Sequence, residues 1–588
     1  MSIQVDVVRI CGFRGIENTE VSLPRVTVLF GQNNAGKTSV IKALQLALGD
    51  YSRFLSDEDF HISATDQQKD SITIDLRIIA LDKTGKPGQF EDKWVDVFGD
   101  TVQSDTSGRQ YFALRTIAKP DKIKGGFNIE RFHLNAWPAL DGWQVVKVDP
   151  KNKFLKRLDA IPFISIDAQR DIHSELKEKS SFIGRVLASV EYDAKDVAEL
   201  EELVAAINKQ AIEKSAPLNK LKEHLDTLNQ SFDGAGKTEL TPFPKKIRDL
   251  SKRFGVHFGE TDKSSFSMEY HGMGTRSWAS MLTVKAFIEL MAKTHDDEKE
   301  PFFPIIAAEE PEAHLHPNAQ RTLFEQLQSS SGQVIISTHS PYVIGISNLE
   351  NLRGLVRSSG KVVATELIPG LDAEEINMLH REVMRFRGEL LFSKAIILFE
   401  GVTEEQLIPA MFSVFFKRSA FASGVNCISV GGKNYAPFVK MALSFGIPVC
   451  IVSDNDGNTE KEIKSQIKKI IEEKKLTLSD NNFSLNFLSS GNDIEAELVN
   501  VQNIRDEIVE ALVKTETKGS EKPKYIAAKT AEIQKLNNVQ LVELMRSSKA
   551  SYAGFLAEII ATKKNSKPIE AMIPKAVIDS FNKLKEWK

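Results

Sequence analysis

Two groups of residues in this chain have the types and spacing that do chemistry. The first is Gly31-Gln-Asn-Asn-Ala-Gly-Lys-Thr-Ser39, which fits the pattern G-x-x-x-x-G-K-T. A glycine-rich turn of this kind points backbone N–H groups at an anion, and the helix behind it adds its positive dipole end. Lys37 would reach the β- and γ-phosphates of a nucleotide, and the Thr38 hydroxyl would sit on Mg²⁺. Gly31, Asn33, Asn34, Gly36, Lys37, Thr38 and Ser39 are therefore assigned to a nucleoside triphosphate. The second group is acidic: Glu400, Asp454 and Asp456 each follow a short apolar run. Three carboxylates gathered at adjacent strand ends repel one another unless a hard cation neutralises them, which implies Mg²⁺ or Mn²⁺.

The elements that must position these residues are legible around them. Val26-Thr-Val-Leu-Phe30 is a buried strand feeding the glycine turn, and Val40, Ile41, Leu44, Ala47 and Leu48 recur at helical spacing before a capping Gly49. A phosphate loop also needs one carboxylate to hold Mg²⁺ and another to orient water. Phe302-Phe-Pro-Ile-Ile-Ala-Ala-Glu-Glu-Pro-Glu312 supplies a strand ending in two acids, with Glu309 at the metal position and Glu310 at the general-base position. Glu309 is one methylene longer than the more usual Asp, so contact with the metal is direct or through water. Val334-Ile-Ile-Ser-Thr-His-Ser-Pro341 is a strand ending in His339, placed to contact the γ-phosphate. His271-Gly-Met-Gly-Thr-Arg-Ser277 is a glycine turn before a helix, in which Gly274 and Ser277 are placed to touch phosphate. Singly, His339 also fits a satisfied turn histidine and the glycine turn also fits an ordinary loop.

Taken in this order, the four stretches resemble the ATP-binding-cassette heads of SMC and RecF-type proteins. The resemblance covers roughly residues 1–50 and 260–345. In that family the signature turn of one subunit completes the ATP site of another, which implies a head-to-head dimer. Between the two halves lie a strand-rich lobe and, from about Ser174 to Phe232, a helical pattern carried by Leu200, Leu203, Val204, Ile207, Ile212, Leu218, Leu221, Leu225 and Leu228. That pattern fits a dimer-forming arm or hairpin, and equally a helical layer packed on its own domain.

After about residue 385 a βαβα alternation begins. Lys394-Ala-Ile-Ile-Leu-Phe-Glu400, Val425-Asn-Cys-Ile-Ser-Val430 and Pro448-Val-Cys-Ile-Val-Ser453 are the strands. Such an order makes a small parallel sheet with its active site at the strand C-termini. Asp454-Asn-Asp-Gly457 taken alone also fits a turn. Together, E-G-x-T-E at 400–404, G-G-K at 431–433 and D-x-D at 454–456 resemble a Toprim domain. Gly491-Asn-Asp-Ile-Glu-Ala-Glu497 looks like a further acidic element, with Glu495 preferred over Asp493. Two metals held about 3.5–4 Å apart would activate water and stabilise the leaving oxygen of a phosphodiester.

A cassette head followed by a Toprim domain and a helical tail resembles the OLD (overcoming lysogenization defect) family of nucleases, which includes the nuclease subunit of the Gabija defence system. The resemblance implies an ATP-binding, metal-dependent DNA endonuclease or exonuclease, dimeric or larger, acting in bacterial genome defence. Carried over position by position, Glu400, Glu404, Asp454, Asp456 and Glu495 hold metal, and Lys549 assists catalysis. Thr403 departs from the Ser frequent in the motif, and the strand-rich lobe does not align. From the residues alone, Lys549 is equally a solvated surface lysine. The rival reading is an ATP-gated DNA-binding clamp, RecF-like, whose Toprim acids do not cut. A helicase or other defence-system partner is left open.

Composition sets the outer bounds. The 588 residues suggest about three or four domains. The expected fold is α/β: an ABC/SMC-type ATPase head, first part (1–175), a helical dimerisation insert (176–235), the second part of the head (236–385), a Toprim domain (386–510) and a helical C-terminal segment (511–588). No apolar run of about 18 residues occurs, so no membrane partner is expected. The scattered Cys11, Cys427 and Cys450 argue against a zinc site or disulfide framework and fit a cytoplasmic protein. A net charge of −4 means that DNA would be met by a local basic surface, not by the whole molecule.

Overall fold

The computed structural model describes residues 3–167, 193–222, 257–258, 266–267 and 270–587, apart from 475–481, 563–567 and interruptions of one to three residues. Of the expected helical insert, Ala194–Glu213 is a helix and residues 216–220 are helical; Leu221, Leu225 and Leu228 lie outside the described residues, as do Lys563 and Lys564. The chain forms two compact units. One comprises Met1–Val8, Val40–Asp57 and Asp70–Ser337, and the other Arg9–Ser39, Glu58–Lys69 and Thr338–Lys588. No helix among the described residues is long and apolar enough to cross a membrane.

In the first unit an antiparallel sheet carries the strand-rich lobe. Ile72–Ala80 pairs with Gln110–Pro120, which pairs in turn with Phe127–His133. Its alternating Ile72, Ile74, Leu76 and Ile78 are fully buried, and Phe98 stacks on Phe112 with centroids 4.6 Å apart. Inside this lobe lies a buried ion pair. Arg115 donates through Nε and Nη2 to the two carboxylate oxygens of Asp75, each at 2.6 Å, and through Nη2 to the Trp143 carbonyl at 2.7 Å. Removing one partner strands the other charge away from water. Asp75→Ala is therefore expected to cost about 3–5 kcal/mol, read as a lowered urea midpoint at unchanged slope.

The same unit holds three parallel strands in the order Phe163–Ile166, Ile305–Glu309, Gln333–Ser337. Ile305 to Ala308 are buried, as expected of a strand covered on both faces. The sheet ends at Glu309, where the chain turns. The long helix Met273–Asp297 and the helix Pro317–Gln328, started by His316 and proline, flank this region in sequence.

In the second unit Val26–Phe30, with all five residues buried, runs parallel to Leu352–Ser358, which pairs antiparallel with Lys361–Thr365. Farther along lies a four-stranded parallel sheet in the order Val425–Ser429, Ala395–Phe399, Val449–Ser453, Phe483–Phe487. The middle strands are buried throughout. Helices Val402–Phe416, Arg505–Glu516, Lys549–Thr562 and Lys575–Glu586 follow in the chain. They share one apolar core with the sheet: Ile397, Phe399, Leu407, Phe412, Ile508, Tyr552, Leu556 and Phe581 belong to a single cluster.

Candidate nucleotide and metal sites

In the second unit the glycine turn lies between the Val26–Phe30 strand and the Lys37–Leu48 helix, as its sequence requires. Gly31 has φ 144°, and a Cβ there would lie 2.3 Å from the Leu355 carbonyl oxygen, so no other residue fits. Gly36 also has positive φ, 102°, and Asn34 has φ 62°. Lys37 is only 6% exposed, and its ammonium donates to the carbonyls of Gly31 and Gln32, each at 3.0 Å. The lysine thus clasps its own loop and places a positive charge beneath it. Asn33 and Thr38 are exposed while Ser39 is buried. His339 follows Thr338, whose N–H donates to the Leu29 carbonyl at 3.0 Å. That bond fixes the S-T-H-S loop beside the end of the phosphate-loop strand.

In the first unit Glu309 and Glu310 leave the end of the Ile305–Glu309 strand. Glu309 is paired with Lys42 at 2.9 Å, and Lys42 also pairs with Asp167 at 3.0 Å. Burial works against the Lys42 ammonium, but these two carboxylates outweigh it and raise its pKa. Glu310 has φ 44°, a left-handed conformation that is costly for a side chain with a Cβ and clusters at functional sites. Its N–H donates to the Ser337 carbonyl at 2.9 Å, which holds the strained turn. Gly274 packs directly under the residues that follow: a Cβ there would lie 2.4 Å from the His314 carbonyl oxygen. Gly274 and Ser277 are both buried within this unit.

Of the acids downstream, Glu400 and Asp454 stand at the C-terminal ends of parallel strands, while Glu404 and Glu495 lie on helices. Glu400 follows Ala395–Phe399, and Asp454 follows Val449–Ser453. Ser453 donates its hydroxyl to Glu400 Oε1 at 2.9 Å. The Glu400 carbonyl accepts from the Ser429 hydroxyl at 3.1 Å and from the Gly432 N–H at 3.0 Å. Glu404 lies in the first turn of the Val402–Phe416 helix and is buried. Glu495, in the Ile494–Asn500 helix, is fully buried. Its Oε1 accepts from Thr403 Oγ1 at 2.9 Å and from the Tyr552 hydroxyl at 3.3 Å. Asp493 instead caps that helix through the Ala496 N–H at 3.0 Å and pairs with Arg546 at 2.8 Å. Asp456 accepts from Thr459 Oγ1 at 2.6 Å and pairs with Lys433 at 3.1 Å. Lys549 opens the helix Lys549–Thr562; its side chain lies outside the described residues.

Comparison with known proteins now decides the family. A family model described as AAA ATPase domain matches residues 4–94 and 118–344, more than half of the chain. The chain belongs to the AAA ATPase domain family. A second model, the Toprim domain of overcoming lysogenization defect protein-like proteins, matches residues 391–456 of this AAA ATPase. The chain is similar to the Old nuclease of Escherichia phage P2, at 24% identity over 484 residues, 78% of either chain. It is also similar to the Endonuclease GajA of Bacillus cereus strain VD045, at 23% identity over 463 residues, 77% of this chain and 75% of that one. Among solved structures, the C-terminal region of the Burkholderia pseudomallei OLD protein matches with TM-score 0.25 and 20% identity, over 33% of this chain and 98% of that one.

An AAA ATPase with a Toprim domain uses a nucleotide and a divalent metal. The residues present fit both. The clasped loop offers a cationic floor for phosphate. At the Toprim end Asp454 Oδ1 is buried with no hydrogen-bond partner, and the donor set is all carboxylate oxygen, the preference of a hard cation. Burial, with Glu404, Glu400, Asp493 and Glu495 adding repulsion, pushes the Asp454 carboxyl up to about 8. Burial likewise raises Glu400. Asp456 is held below its usual range by the Thr459 hydroxyl and Lys433. The charge interactions sort the acids into an inner set around Asp454 and an outer set of Asp456 and Lys433, with Glu400 acting on both. No three of the Toprim acids bring ligand atoms within 4.8 Å of one another; among the described residues only the surface trio His295, Glu298 and Glu300 does so.

The sign of the resulting pH dependence follows from linkage. Asp454 is protonated in the metal-free fold up to about pH 8, whereas an unfolded aspartate loses its proton near pH 4. Between those values the folded state binds more protons, so its contribution to stability is full below about pH 4 and is lost as pH rises toward about 8. A cation must displace that proton, so its apparent affinity should rise by about tenfold per pH unit over the same window. Calorimetric titration with Mn²⁺ at pH 6, 7 and 8 checks this; an affinity independent of pH would place the metal elsewhere.

Sequence reading missed the residues that hold these carboxylates: Lys42 on Glu309, Ser453 on Glu400, Thr403 and Tyr552 on Glu495, and Arg546 on Asp493. Lys433 was visible only as part of a G-G-K turn. Its distance from Asp456 in the chain hid the pairing.

Proposed function

We propose that this chain is an ATP-binding and ATP-hydrolysing, divalent-metal-dependent DNA endonuclease of the OLD type, acting in the cytoplasm as a homodimer or larger assembly in bacterial anti-phage defence. The observation that carries the reading is the half-buried acid cluster around Asp454, with its buried and unpartnered Oδ1, at the end of a parallel sheet in a chain that also carries a phosphate loop. Glu400, Glu404, Asp454, Asp456 and Glu495 would hold Mg²⁺ or Mn²⁺; Thr38 is assigned to the Mg²⁺ of ATP, and Glu309 is assigned separately as a metal-binding carboxylate. A bound metal pair supplies an activated water and neutralises the departing oxygen.

The protein's own residues prepare that chemistry. Thr403 and Tyr552 orient Glu495, and Ser453 orients Glu400. Lys433 supplies a cation at the outer edge of the cluster, beside Asp456, suited to a DNA phosphate. Lys549, at the first position of its helix, is assigned the same supporting role. At the nucleotide end Lys37 and His339 would contact phosphate, Gly274 and Ser277 would complete the site of a second subunit, and Glu310 would orient the attacking water. Incubation of the intact chain with plasmid DNA, with and without Mn²⁺ or Mg²⁺, tests the proposal. Metal-dependent nicking or linearisation is expected. Plasmid that is bound but uncut under every condition would replace it with a DNA-binding clamp.

A further inference from the structure

We infer that the segment His380–Phe392 is a mechanical link between the phosphate-loop strand and Glu400, with Phe392 and Arg387 as its two working contacts. The inference rests on the reading of the chain as an ATP-dependent nuclease and adds the residues through which one site acts on the other.

At the nucleotide end, the Phe392 ring lies against the His339 imidazole, centroids 6.4 Å apart at 23°. Its other neighbour is Phe30, met edge-on at 6.1 Å and 82°. Phe30 is the last residue of the strand that feeds Gly31. One ring therefore touches both the histidine placed for the γ-phosphate and the base of the phosphate loop. A rigid aromatic has two torsions and fills its space fully, so a shift of His339 is passed on and not absorbed.

The middle of the segment is clamped to the helix that follows His339. A Cβ on Gly388 would lie 2.6 Å from the Pro341 carbonyl oxygen, and one on Gly345 would lie 3.0 Å from the Met384 carbonyl oxygen. Backbone meets backbone at both places, so the segment moves with the Pro341–Ile346 helix or collides with it. The turn His380–Met384 is a π-helix, a form that recurs at functional sites.

At the Toprim end Arg387 Nη1 donates to the Ser429 carbonyl at 3.0 Å, and its guanidinium lies 5.7 Å from the Phe438 ring centroid. Ser429 ends the strand beside Ala395–Phe399, and its hydroxyl holds the Glu400 carbonyl. The next turn carries Gly432, which bonds the same carbonyl, and Lys433, which pairs with Asp456. A displacement of Arg387 is thus delivered to the backbone that aims Glu400. Arg387 and Phe392 are positioning residues; neither touches a reacting atom.

The test uses the intact chain as wild type, Phe392→Leu and Arg387→Met. Initial DNA cleavage rates are measured with and without ATP, together with hydrogen exchange of residues 425–433 with and without ATPγS. In wild type ATP is expected to change cleavage by about fivefold or more, the usual span of an allosteric coupling, and ATPγS to change exchange in that segment. In both variants the ratio of rates collapses to one and the exchange response disappears, while ATP hydrolysis persists. A wild-type ratio or exchange response in either variant overturns the link, as does a wild-type chain in which nucleotide alters neither quantity. If no DNA is cut but the exchange response is present in wild type and lost in both variants, the nuclease reading fails and the link stands.

Discussion

Asp454→Asn abolishes metal-dependent DNA cleavage while leaving ATP hydrolysis intact. The asparagine has nearly the same shape, so the packing of the Val449–Ser453 strand is kept. What is lost is the charge of a half-buried acid that has Glu400, Glu404, Asp493 and Glu495 around it. With an amide there, the inner set of acids can no longer gather a divalent ion by the same attraction, and Asp454 Oδ1 ceases to be an anionic ligand. The expected drop is at least about 10³-fold, the upper end of what removing one preorganised transition-state group costs. The variant should also melt higher than wild type in metal-free buffer at pH 8, because repulsion inside the cluster is relieved. Cleavage at the wild-type rate would sink the assignment of catalysis to this site; loss of ATP hydrolysis would show that the substitution had disturbed the whole chain.

Lys37→Ala gives the opposite pattern. Its ammonium bonds the carbonyls of Gly31 and Gln32, and its removal both opens the loop and discharges its floor. ATP hydrolysis should fall by about 10²–10³-fold, comparable with losing one electrostatic stabiliser of a developing charge. Nucleotide-free cleavage by the same variant should match wild type, because no Toprim acid depends on Lys37. A malachite-green phosphate assay alongside plasmid cleavage separates the two activities. Hydrolysis at the wild-type rate would mean that the phosphate loop is not the site of turnover.

Both patterns were legible in the sequence for the same reason: their determinants are local. The phosphate loop is contiguous, and glycine at Gly31 is dictated by a carbonyl only 2.3 Å from where a Cβ would sit. The acids Glu400 and Asp454 each terminate an apolar strand, so period and punctuation locate them. The parallel order of the Toprim sheet followed from its βαβα alternation. What could not be read were interactions closed by distant parts of the chain. Tyr552 stands 57 positions from Glu495, and its role rests on one hydroxyl at 3.3 Å. Lys42 looks like an ordinary surface lysine of the helix after the loop until Glu309 and Asp167 are placed beside it. The strain at Glu310 has no sequence signal at all, since nothing in Glu-Glu-Pro announces a left-handed residue.

The single core shared by the Toprim sheet and the C-terminal helices bears on how such chains are inherited. The matched Toprim stretch ends at residue 456, yet Thr403 inside it and Tyr552 far beyond it both bond Glu495, and Tyr552, Leu556 and Phe581 fill the same apolar cluster as Phe399. A gene fusion that carried only the recognisable stretch into another protein would leave behind Glu495, the Phe483–Phe487 strand and the helices that complete the core. The portable cassette extends at least to Leu584. Recombination within it would be purged by misfolding before selection could act on cutting, so the blade and its backing should travel together between genomes.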